Sequence, residues 1–142
     1  MRFVSRALIV LLAMMANSAA HAEICAAQIS AYRRAHGLSP VRADAALDRI
    51  AQRQAAAMAR AEKVSHDVDG NFFVRIKPVR RRLAAENVAA GFRTCAETIR
   101  QWDASAGHRE NLRMPGARRV GVASVAKPSS PYGRFWAMEI TD

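Results

Sequence analysis

Val120-Gly-Val-Ala-Ser-Val125 and Phe135-Trp-Ala-Met-Glu-Ile140 are the two stretches that decide the fold. Both are rich in β-branched and aromatic residues, and Lys127 to Gly133 between them carries Pro-Ser-Ser-Pro-Tyr-Gly, a loop composition. An antiparallel hairpin near the end of the chain follows. Upstream the apolar spacing is helical. Asp44 is a good N-cap, and Leu47, Ile50, Ala51 and Met58 share one face of a helix over 44–62, with Arg49, Gln52, Arg53 and Arg60 on the other side. Ile24, Ala27, Ala31 and Ala35 mark an earlier helix that stops at Gly37, and residues 38–41 make an extended connector. Thr94 with Glu97 is a capping box that starts a further helix through Ile99 and Trp102. Ser105 is expected to cap a single turn from His108 to Leu112, which Pro115 and Gly116 close. Residues 85–91 read as short and extended, and 63–83 as a loop with one helical turn near Phe72 to Ile76. Helices first and strands last predict α+β, with helices packed on a small sheet.

The other end of the chain predicts export. Arg2 and Arg6 precede an apolar run from Ala7 to Met15 and a small-residue end at Ala20-His21-Ala22, the order of a secretory signal cleaved before Glu23. The apolar run is about half of the ~20 residues a membrane span needs. The remaining residues 23–142 suit one domain, expected to be a monomer in the periplasm or the medium, with no transmembrane helix. The leader takes two of the 22 basic residues and none of the 12 acids, so the mature chain keeps a net charge of +8. That balance favours anionic partners such as lipid headgroups or acidic envelope polymers. Cys25 and Cys95 both lie in the mature part, and an even count in an oxidising compartment predicts one disulfide, against the alternative of two separate buried thiols.

Three residues beside turns or element ends are candidates for chemistry: His66, Glu86 and His108. Taken singly, each has a plainer reading, the histidines as solvated loop residues and Glu86 as the partner of a nearby arginine. The densest basic run, Arg75, Lys77, Arg80, Arg81 and Arg82, reads first as a solvated face, and otherwise as an adhesion patch making peripheral contact with anionic lipid or polymer. It lacks the interleaved aromatics of a nucleic-acid surface, and export removes most such partners. Asp67-Val-Asp-Gly-Asn71 is not an EF-hand, because Phe72 and Pro78 stand where glycine and glutamate are needed. Asp103-Ala-Ser105-Ala-Gly107 follows a helix and lacks the first glycine of a nucleophile elbow, and no dedicated zinc motif occurs.

Taken in order, the segments Ile29 to Val41, Asp44-Ala-Ala-Leu47, Met58-Ala59, Ser65-His66, Ala85-Glu-Asn-Val-Ala-Ala-Gly91, Trp102-Asp-Ala-Ser105, Gly107-His-Arg-Glu-Asn-Leu112 and Val120-Gly-Val-Ala123 resemble the CAP superfamily of cysteine-rich secretory, antigen 5 and pathogenesis-related 1 proteins. The likeness is to its short bacterial form, the SCP domain, and covers about residues 28 to 140. The resemblance implies an α-β-α sandwich with a small antiparallel sheet between helices, an extracytoplasmic location, and a cleft lined by histidines and acids. It assigns His66 to the first cleft histidine, Glu86 and Asn87 to the Glu-Asn motif, and Ser105 and His108 to the bacterial Ser-x-x-His-Arg motif. The animal and plant pattern has a second acid where this chain has Ser105, and a second histidine in a stretch that reads Phe135-Trp-Ala-Met138 here.

Three functions follow from these readings. The first is a non-enzymatic binding module taking lipid, sterol or an envelope component in its cleft. The second is a hydrolase in which His66 and His108 hold a divalent metal such as Zn²⁺ and Glu86 is general base on a bound water. The third is a structural or interaction protein whose polar residues form a buried network.

Overall fold

The computed structural model describes residues 20–142, so the leader read over residues 1–22 lies, up to residue 19, outside the described residues. The expected hairpin is β3 (Arg119–Lys127) paired antiparallel with β4 (Gly133–Thr141), with Val122 opposite Met138. On the other side of β4 runs β2 (Ala84–Ala90), also antiparallel, with Glu86 opposite Glu139. A two-residue strand, β1 (Arg42–Ala43), pairs parallel to β3 and makes the sheet order β1-β3-β4-β2. The sheet is therefore mixed where an antiparallel one was expected. The connector expected over residues 38–41 has no regular structure, and the two residues that follow it, Arg42 and Ala43, lie along β3.

Side-chain alternation along the strands sorts the core into two layers. Phe135 and Ala137 of β4 and Val88 of β2 meet Ala51, Ala55, Met58 and Ala59 of α2 (Ala45–Ala61) on one face. Trp136, Met138 and Ile140 point to the opposite face, into a cluster with Ile29, Ile99, Trp102 and Leu112. Gly121 lies beneath the start of α2, where a Cβ would stand 2.1 Å from the Leu47 carbonyl carbon. Asp44 caps α2 by accepting from the Ala46 and Leu47 amides, and the Asp48 carboxylate accepts from the Val122 amide at 3.0 Å. These contacts fix the helix on the hairpin.

The second helical layer comprises α1 (residues 20–35), α4 (Cys95–Ala104) and α5 (Ala106–Leu112). Within α1, residues 20–22 add a turn before the predicted cleavage point. The Cys25–Cys95 disulfide joins α1 to the start of α4, where Thr94 and Glu97 form the predicted capping box. Arg33 is buried, and its guanidinium donates to the carbonyls of Ser39, Leu112 and Met114, tying α1 to the end of α5. Ser105 occupies the N-cap position of α5, but its side chain makes no capping hydrogen bond, so α5 is held by tertiary contacts instead. The sandwich is complete.

Between α2 and β2, the short helix α3 (Phe72–Ile76) is capped by Asn71 and runs into a 3₁₀ turn, Lys77–Val79. The expected turn is therefore present, but its polarity is inverted: Arg75 and Ile76 are buried while Phe73 and Val74 face outward. Arg75 thus leaves the solvated basic run, and Lys77, Arg80, Arg81 and Arg82 remain on the surface.

Two outcomes test this account. Reducing the Cys25–Cys95 bond, which spans 70 residues, should lower stability by about 4 kcal/mol in the loop-closure picture and the Tm by roughly 15 °C, read by calorimetry with and without reductant. Gly121→Ala should cost about 3 kcal/mol, because backbone and not a movable side chain fills the space; denaturant unfolding with an unchanged midpoint would refute that packing.

Candidate functional site

The register sets two carboxylates side by side. Glu86 and Glu139 are direct cross-strand partners on the α2 face of the sheet, 5% and 0% exposed, an arrangement that repels if both are charged. Arg75 supplies the counter-charge. Its guanidinium lies 2.8 Å from Glu86 Oε2 and 3.4 Å from Glu139 Oε1, and also donates to the carbonyls of His66 and Gly70. One cation cannot neutralise two carboxylates. Burial first, and then the adjacent Glu86 carboxylate, push the Glu139 carboxyl well above its ordinary range, which favours its protonated form. Its Oε2 has no hydrogen-bond partner among the described residues.

Glu86 has the opposite fate. Burial works to raise its pKa, but the hydrogen bonds from His66 and Arg75, with the Arg75 charge, outweigh it and hold the carboxylate low. The other Glu86 oxygen, Oε1, meets His66 Nδ1 at 2.8 Å, so both oxygens are taken. That hydrogen bond raises the His66 pKa, while burial opposes it only in part because the ring is half exposed. The loop carrying His66 is anchored by Gln54 Nε2, which donates to the Ser65 carbonyl at 2.7 Å.

Asn87 points to the other face of the same strand. Its Nδ2 donates to the His108 carbonyl at 2.9 Å, and its Oδ1 accepts from Asn111 Nδ2, which also donates to the Glu86 carbonyl. Trp102 Nε1 donates to the Val88 carbonyl. β2 is the edge strand, and α4 and α5 therefore use two side chains to satisfy the carbonyls it turns outward. The Glu86 contact to His66 and the Asn87 contact to the His108 carbonyl thus lie on opposite faces of that strand. Burial, and then the charge of His66, lower the His108 pKa, and His108 Nδ1 has no partner among the described residues.

His66, Glu86, Asn87 and His108 are thus joined, directly or through backbone, whereas the Ser105 hydroxyl has no hydrogen bond to them among the described residues. Arg75, Glu139 and Asn111 were not anticipated. Glu139 did carry a signal, since it falls in phase with Phe135 and Ala137 on the apolar side of β4. The donor set does not fit a resident divalent ion: among the described residues no three His, Cys, Asp or Glu side chains are arranged to hold a metal ion, and Glu86 is committed to a guanidinium and an imidazole.

The chain belongs to the CAP family of cysteine-rich secretory proteins, whose pattern it matches over residues 26–140. It is 30% identical over 114 residues to the uncharacterized protein YkwD of Bacillus subtilis (strain 168), a match that takes in 78% of this chain but only 42% of that protein. Its fold is similar to an extracellular protein containing a SCP domain from Bacillus anthracis, with a TM-score of 0.73 at 22% identity, covering 87% of this chain and 41% of the other. An outer surface protein of Borrelia burgdorferi also gives a TM-score of 0.73, at 17% identity, covering 84% and 90% of the two chains.

The two imidazoles give opposite pH signatures. A raised His66 pKa means that its contribution to stability is fully present below about pH 6.5, the ordinary imidazole value, and is lost as pH rises through the raised value. A lowered His108 pKa means that stability climbs as pH rises from that value to about 6.5. In curves of Tm against pH, His66→Ala should flatten the limb above 6.5 and His108→Ala the limb below it. Curves parallel to wild type would refute the ion pair and the burial respectively.

Proposed function

We propose that this chain is an exported, non-catalytic binding module of the cell envelope, whose cleft takes the anionic headgroup of a lipid. The observation that carries this reading is the closure of Glu86: His66 and Arg75 occupy both of its oxygens and depress its pKa. A general base needs a pKa near the working pH and access to the water it activates, whereas Glu86 has a lowered pKa and is buried beneath His66 and Arg75. What remains open is the half-exposed His66 ring. With Nδ1 committed to Glu86, its protonated form presents Nε2–H outward as a charged donor. The buried network beneath keeps that donor in place.

Export is supported by the leader pattern, by the disulfide, which persists in oxidising compartments, and by relatives described as extracellular or outer-surface proteins. Among the described residues no helix is long and apolar enough to cross a membrane.

The test is titration of residues 23–142 with monomeric short-chain phosphatidylglycerol, followed through the histidine ring resonances. Saturable binding is expected that weakens with salt and with rising pH, and that falls about tenfold in His66→Ala. Absence of binding at low salt would refute the headgroup reading. Ester or amide hydrolysis that Glu86→Ala abolishes would replace it with the hydrolase.

A further inference from the structure

We propose that the α3 tip is a docking wedge for an anionic phospholipid bilayer, a surface separate from the cleft. Phe73 and Val74 are 72% and 71% exposed, adjacent in sequence, and project from the helix that carries Arg75 inward. Their exposure is imposed. Arg75 must reach Glu86 and Glu139, and in a helix of one and a half turns the two preceding positions then face away. The half-buried Phe72 stays behind, with the Arg75 guanidinium 5.8 Å from its ring centre.

The chain that follows this apolar pair is cationic. Lys77, Arg80, Arg81 and Arg82 are all exposed, and no acid occurs in the sequence from Gly70 to Ala85. The nearest counter-charge is Asp142, 4.0 Å from Arg82 Nε and mainly engaged in accepting from the Arg82 and Leu83 amides. Leu83, which follows these cations in sequence, is itself 45% exposed. Side chains that enter the acyl boundary, ringed by arginines that stay with the headgroups, are the chemistry of an interfacial anchor. An acidic polymer would satisfy the cations but has no use for Phe73 and Val74. Lipid therefore explains both halves of the patch.

The experiment is co-sedimentation of residues 23–142 with vesicles of phosphatidylcholine alone or mixed with phosphatidylglycerol, at low and high salt. Binding is expected to the mixed vesicles only. Phe73→Ser/Val74→Ser should reduce it about tenfold while leaving the Tm and the cleft titration with monomeric lipid unchanged. Replacing Arg80, Arg81 and Arg82 by Ser should weaken binding and flatten its salt dependence. Failure of the wild type to bind mixed vesicles would overturn the proposal, whatever the cleft does. Undiminished binding by the Phe73/Val74 variant, shared with soluble polyglutamate, would also overturn it and make the patch a polyanion site.

Discussion

A guanidinium buried between two carboxyls is the constraint on which the rest of this structure depends. The β2–β4 register places Glu86 against Glu139, and neither can leave without shifting every side chain of an edge strand to the wrong face. Two adjacent buried carboxylates repel, and the chain treats them asymmetrically: Arg75 stabilises the ionised Glu86, and burial pushes the Glu139 carboxyl toward its protonated form. That solution has geometric consequences. Arg75 also holds the His66 and Gly70 carbonyls, so the same side chain that settles the charge docks the 63–83 segment and aims His66 at Glu86.

Glu86 and Asn87 act as a pair because a strand turns consecutive side chains to opposite faces. One reaches Arg75 and His66 on the α2 side, and the other reaches Asn111 and the His108 backbone on the α5 side. Arg33 then secures the far end of α5 from α1, and the disulfide secures α1 to α4. The His108 ring thus owes its place to a chain of contacts that runs around the exposed edge of the sheet. The outward carbonyls of Glu86 and Val88, which would otherwise template association, are consumed in building that chain.

What could be read from the sequence were features whose cause is local. The Asp44 cap, the Thr94-Glu97 box, the hairpin of β3 and β4 and the apolar face of α2 each follow from residues within a few positions of one another. The grouping of His66, Glu86 and His108 came from resemblance, since nothing local joins residues so far apart. Arg75 was legible neither way. Within Phe-Phe-Val-Arg-Ile, composition argues for apolar residues inside and arginine outside; Ile76 is inside, but Arg75 is buried too while Phe73 and Val74 face outward, because Arg75 reaches the buried Glu86 at 2.8 Å. The mixed character of the sheet was hidden for the same reason, as two residues of β1 carry no pattern of their own.

The division of the positive charge is the last consequence. Arg75 lies in a closed network with its charge engaged, whereas among the described residues the four cations beyond it have no acidic partner save Asp142 near Arg82. The charge on His66 is of a different kind. Its charge depends on a proton that Glu86 holds more firmly than water would, and Arg75 beneath opposes that proton. A half-buried histidine whose charge depends on pH and four exposed cations are thus supplied by a single segment, residues 66–82. In the reading proposed above, pH alters the charge that His66 offers, while salt screens the exposed tip more than the half-buried His66. Two surfaces so close in sequence can respond separately because Arg75 stands between them with its own charge fully satisfied.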